Sequence, residues 1–243
     1  MYRIGKSFLL IFLASSLIAQ DRQAIQVKID QISGEVLVRR GIEEFWQPVS
    51  LGILIKDVDT ILTGENGKVI LKLEDGTLFT LGPNSILDIA DLRKITERQL
   101  FLFLVKGKVN RLEKRPQKTE LRLGKVSVVH GDNRDIIDND SLVALESWGP
   151  VINGALALYH HQYYTNTILK LNKILDTGLP QQKSCEAYFY LGRSFEAINK
   201  PGQAIDAYQI VVNNCAEENT EWKKSAAEAI EILKHDRSIS NDK

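Results

Sequence analysis

The chain has 243 residues, 44% of them apolar and 26% charged, which is enough for two modest cores and argues against a disordered chain. Its 31 basic residues balance 31 acidic ones, so no summed field draws it to nucleic acid or to an anionic membrane surface. Electrostatics therefore nominate no polyanionic partner, and no nucleic acid is expected as one.

At the amino terminus Arg3 and Lys6 precede an apolar run from Phe8 to Leu13, followed by the small residues Ala14, Ser15, Ser16 and Ala19. That order predicts a secretory signal peptide over residues 1–19, cleaved after Ala19, and an exported, nearly neutral chain. The run is short of the ~20 apolar residues that a bilayer-spanning helix needs, and no later stretch is longer, so no integral membrane segment is expected after cleavage, the alternative being that the run is retained as an uncleaved anchor. No cysteine follows the run to carry a lipid.

From residue 24 to residue 145 short runs of Val, Ile and Leu alternate with polar residues between Gly, Asn, Asp and Pro, which predicts an all-β module. Ile25, Val27 and Ile29 alternate in this way, as do Val36 and Val38, then Val69, Leu71 and Leu73, and finally Leu121 and Leu123. Glu65-Asn66-Gly67 and Glu74-Asp75-Gly76 predict two hairpin turns, because Gly adopts the positive φ that tight reversals require. Trp46 reads as a plug at the core or edge of a sheet, and Thr63 and Asn84-Ser85 as turn residues whose side-chain oxygens satisfy backbone groups.

Read together, Gly34-Glu35-Val36, Trp46-Gln47-Pro48, Asp59-Thr60-Ile61-Leu62-Thr63-Gly64, Gly67-Lys68-Val69, Asp75-Gly76-Thr77, Asn84-Ser85 and Gly107-Lys108-Val109 resemble the FecR domain. The resemblance spans about half the chain. It implies a compact all-β fold of bacterial envelope proteins, some of which relay signals from outer-membrane receptors to sigma factors. Those regulators carry a cytoplasmic segment ahead of a membrane helix, whereas here only a few residues precede the apolar run, so direct control of a sigma factor is not expected. Gly131 to Asp140 gathers five Asp or Asn among ten residues, but Arg134 and Ile136-Ile137 interrupt any calcium-loop spacing, and a turn or linker is the reading.

Gly149-Pro150 predicts a domain boundary between Leu145 and Val151, after which the apolar period becomes helical over residues 151–235, with residues 236–243 a disordered tail. Tyr188, Leu191, Gly192 and Phe195 share one helix face, Lys200-Pro201-Gly202 ends that helix, and Ala204, Ile205 and Tyr208 line the next. These positions resemble a tetratricopeptide repeat, and Trp222 and Ala226 fall 34 residues after Tyr188 and Gly192, the period of that family. Trp222 to Lys234 is then a closing helix, and Ala155, Leu158, Thr167, Ile168 and Leu171 mark a degenerate first repeat. So short an array leans on the β module or on a partner.

Cys185 and Cys215 stand 15 positions either side of Lys200 at the turn, so the arms of an antiparallel hairpin would bring them together, and an oxidising compartment would permit a disulfide. Two buried thiols are the alternative. His160-His161 point to different helix faces and suit a metal poorly, while His130 and His235 are isolated. No catalytic residue, cofactor or metal ligand is expected. The fold expected is an all-β module followed by an all-α helical-hairpin segment. The function expected is that of an exported, non-catalytic envelope scaffold binding unidentified protein partners, the alternative being a periplasmic component of a receptor-to-sigma-factor system.

Overall fold

The computed structural model describes residues 25–113, 139–216 and 220–241. The expected signal peptide, the Leu121 and Leu123 alternation, His130 and most of the Gly131–Asp140 stretch lie outside these residues. The described chain is mixed: two antiparallel sheets come first, and six α-helices follow.

Eight strands run β1 (Gln26–Ser33), β2 (Val36–Arg39), β3 (Gln47–Pro48), β4 (Leu54–Lys56), β5 (Thr60–Thr63), β6 (Lys68–Leu73), β7 (Leu78–Leu81) and β8 (Ser85–Asp88). They form two four-stranded sheets, in orders β4-β1-β6-β7 and β3-β2-β5-β8. Alternation explains the shared core: Val27, Ile29, Ile55, Val69, Leu71, Phe79 and Leu81 from one sheet meet Val36, Val38, Ile61 and Leu87 from the other. In β1 a register shift between Ile29 and Gln31 bends the strand.

The two expected hairpin turns differ in outcome. Glu74-Asp75-Gly76 does join paired strands, with β6 antiparallel to β7, Gly76 at φ +83°, and Thr77 N–H donating to Asp75 Oδ1 at 3.0 Å. Glu65-Asn66-Gly67 does not make a hairpin, because β5 pairs with β2 and β8 while β6 belongs to the other sheet, so this turn crosses between layers.

A single 3₁₀ turn (Ile89–Leu92) closes the strands, and the helices are α1 (Glu97–Glu113), α2 (Asn139–His160), α3 (Tyr164–Leu175), α4 (Gln181–Ala197), α5 (Pro201–Asn214) and α6 (Thr220–Asn241). Four sequence expectations are corrected here. Among the described residues the last strand ends at Asp88, α1 and α2 stand where strands were expected within 24–145, and Gly107-Lys108-Val109 lies in α1. The local reason is a capping box: Gln99 N–H donates to Thr96 Oγ1 at 3.3 Å while Thr96 N–H donates to Gln99 Oε1 at 2.9 Å. The Gly149-Pro150 break does not occur, since α2 runs through it. An interior proline costs a helix ~3 kcal/mol, whereas each large apolar side chain fully buried contributes ~1.5–3 kcal/mol, and downstream Ile152 and Leu158 are both buried. Finally, the expected tail at 236–243 is helical as far as Asn241.

The helices pack consecutively around a second core that includes Ala155, Ile168, Leu171, Leu191, Phe195, Ala204, Tyr208, Val211 and Ala226. Helix α2 serves both cores, because Ala155 belongs to this one and Leu158 to that of the sandwich.

Candidate functional site

Of the residues singled out in the strand region, most build one corner of the sandwich. Gly34 sits at φ +67°, and a Cβ there would come within 2.1 Å of Asn66 O; a Cβ on Gly67 would come within 2.2 Å of Glu35 O. Only glycine allows the two interlayer crossings to touch. Gly64 N–H donates to Glu35 O at 3.0 Å, and Asn84 N–H donates to Gly64 O at 3.0 Å. Thr63 and Ser85 are buried beneath: the Thr63 hydroxyl donates to Gly82 O at 2.6 Å and accepts from Ser85 N–H at 3.0 Å, and the Ser85 hydroxyl donates to Pro83 O at 2.9 Å. These hydroxyls satisfy backbone groups, as the sequence reading anticipated. Trp46 is half-buried at the sheet edge with the Arg39 guanidinium 5.2 Å from its ring centroid.

Asp59, read in the sequence only as part of the FecR-like motif, locks two loops at one end of the sandwich. Its buried carboxylate accepts from Arg40 Nη1 at 2.8 Å, Gly41 N–H at 3.0 Å and Lys56 N–H at 2.9 Å. The loop after β2 is thereby tied to the loop after β4.

The joint between sandwich and helices was also missed, because its contacts link residues about 70 to 80 apart. Helix α2 crosses edge strand β8 so closely that a Cβ on Gly154 would come within 1.9 Å of Ile86 O. Asn153 Nδ2 donates to Asn84 O at 2.7 Å, and Asn166 Nδ2 donates at 2.7 Å to both Asp91 O and Arg93 O. Lys170, only 7% exposed, bridges Asp91 and Asp88, the latter at 3.5 Å. Burial works to raise the Asp88 carboxyl, but Lys170, the Thr60 hydroxyl and Lys173 outweigh it and hold Asp88 below the ordinary carboxylate value. For Asp91 burial prevails and raises it. At the end of α2 His161 stacks on Phe79 with centroids 4.4 Å apart, and Thr80 N–H donates to its Nε2 at 2.9 Å. Burial lowers the His161 pKa, and an accepting Nε2 is by chemistry unprotonated.

The residues singled out in the helical segment gather around Tyr208. A Cβ on Gly192 would lie 2.5 Å from Tyr208 Cε1, so glycine is what lets α4 and α5 close on the buried Tyr208 ring. Leu191, Phe195, Ala204 and Ala226 are buried around it, whereas Tyr188 and Trp222 are half-buried at its margin. Tyr208 donates to Glu196 Oε2 at 2.7 Å, and burial pushes its phenol far up. Cys185 and Cys215 are disulfide-bonded across the open end of the hairpin with Cα atoms 5.8 Å apart. A cavity of ≈ 610 Å³ lies beside that bond, lined by Tyr188, Ile210 and Asn213 among others.

Across α2, α4 and α6 a series of half-buried aromatic rings runs from Tyr159 to Tyr190 at 5.1 Å between centroids, from Tyr190 to Phe189 at 5.6 Å, and from Phe189 to Trp222 at 6.4 Å. Exposed Arg193 stands within this series, its charge favoured by the Tyr159 hydroxyl and Glu196. Rings with polar rims and one reachable cation offer stacking area and a fixed donor to an extended segment. Among the described residues no cluster of His, Cys, Asp or Glu could hold a metal ion, and no helix is long and apolar enough to cross a membrane.

The fold and this surface define a class, a two-layer β-sandwich locked to helical hairpins that present an aromatic face. No protein-family model, no curated protein and no solved structure matches the chain.

Proposed function

We propose that the protein is an exported, non-catalytic envelope scaffold that binds another protein through its helical hairpins, with a FecR-like sandwich and tetratricopeptide-like helices as its two parts. The observation that carries this reading is the aromatic series across α2, α4 and α6 with Arg193 among it. Stacked hairpins displaying such a face are built to hold a peptide segment rather than to transform a small molecule. The hydroxyls described above donate to backbone carbonyls, which suits a structural role. A disulfide in the hairpin favours an oxidising compartment, in keeping with the signal-like amino terminus.

The test is crosslinking in envelope fractions followed by identification of the captured protein, comparing the unaltered chain with Tyr190→Ala/Arg193→Ala. One partner enriched by the unaltered chain and reduced about tenfold or more by the variant is the expected result. Equal capture by both chains, or recovery of the mature product from the cytosol alone, would overturn the reading.

A further inference from the structure

The end of the sandwich that Asp59 locks also carries three large exposed apolar side chains, Ile42 the most exposed of the sandwich. Ile42 is 101% exposed, Val58 62% and Phe45 58%. Ile42 and Phe45 belong to the loop after β2 and Val58 to the loop after β4, and the loops meet, since a Cβ on Gly41 would touch Val58 at 3.9 Å. Three large apolar groups thus stand exposed on two loops that Asp59 ties together. They suit a medium that deforms around them.

Where the chain enters this end says what that medium is. Gln26 at the start of β1 pairs with Lys56 at the end of β4, so the chain comes in beside the Val58 loop. Only eleven residues, 14–24, separate Ile25 from the apolar run ending at Leu13, and even fully extended they reach at most about 40 Å. For as long as that run stays attached and in a membrane, it keeps this end of the sandwich within that reach of the same surface. Trp46 beside Arg39, at the base of the loop, is the amphipathic pairing favoured at the lipid–water boundary. Nearby Lys56 and Arg40 are balanced by Glu43, Glu44 and Asp57, so attraction to anionic headgroups is not what would hold it.

We propose that this end of the sandwich docks on a lipid bilayer, with Ile42, Phe45 and Val58 inserted into the interfacial layer. The proposal rests on the export reading for its setting, although not for its test. The chain beginning at Gln20 is mixed with phosphatidylethanolamine and phosphatidylcholine vesicles, with and without phosphatidylglycerol, and the sedimented fraction is measured. The expected result is binding to both vesicle types that changes little between about 0.1 and 0.5 M salt, and that falls about tenfold or more in Ile42→Ser/Phe45→Ser/Val58→Ser. Ile42→Ser alone gives a smaller loss. Phe101→Ser/Leu102→Ser, which alters the exposed apolar side of α1, binds as the unaltered chain does.

Absence of vesicle binding would overturn the proposal, as would equal binding by the loop variant, or loss of binding in the α1 variant instead. Concentration-dependent dimers that the loop variant abolishes, without vesicle binding, would assign the patch to a second copy and equally overturn it. Vesicle binding by purified protein does not depend on where the cell sends the chain, so failure here leaves export standing, and cytosolic recovery would sink export alone.

Discussion

His161 couples the charge state of one imidazole to the joint between strands and helices. Its Nε2 accepts from Thr80 N–H, and burial lowers its pKa below the ordinary value near 6.5. The unfolded chain thus binds the proton more readily than the folded one. The stability contributed is fully present above about pH 6.5 and is lost as pH falls through that value toward the lower folded pKa. Urea unfolding is expected to show a midpoint lower at pH 5.5 than at pH 7.5, and His161→Gln should flatten the difference, which partial exposure limits to about 1 kcal/mol or less. Nothing in the neighbourhood of residue 161 in sequence points to Thr80 or Phe79. The same holds for Asp59, Asn166 and Lys170, whose partners are set by topology. By contrast the corner glycines were legible, because a positive φ or a close backbone approach selects glycine wherever it occurs.

Among elements, legibility followed the strength of the local pattern. Val36 and Val38, or Val69 and Leu71, alternate cleanly and are buried as read, and Lys200-Pro201-Gly202 separates α4 from α5 with Pro201 at the first helical position. Helix α1 was misread because Leu100 to Val105 is an unbroken apolar run that periodicity cannot assign, although Thr96 and Gln99 carried the signal of its start. The α4–α5 hairpin depends on its disulfide as well as on Gly192 against Tyr208. The bond spans a sequence separation of 30, for which loop closure predicts a contribution of about 3.5 kcal/mol. Reduction, or Cys185→Ser/Cys215→Ser, is expected to lower the thermal midpoint by several degrees while the far-UV circular dichroism at 20–25 °C is kept, as read in melts with and without reductant.

At the scale of the molecule the absence of a break at Gly149-Pro150 has the largest effect, since it turns two expected modules into two cores sharing one helix. Gly154→Ala tests this arrangement. A Cβ driven to 1.9 Å from the Ile86 carbonyl must push α2 off β8, and the expected outcome is a loss of about 1–3 kcal/mol together with a split of one calorimetric transition into two. Lys170 makes separation costlier still, because undocking strips Asp91 and Asp88 of a shared cation. The crossing of α2 over β8 also bears on how the molecule behaves when cut. A fragment ending ahead of Gly149 would leave the β8 margin bare, a row of backbone donors and acceptors open to the next copy, so such pieces should come out of solution as aggregates rather than as smaller native bodies.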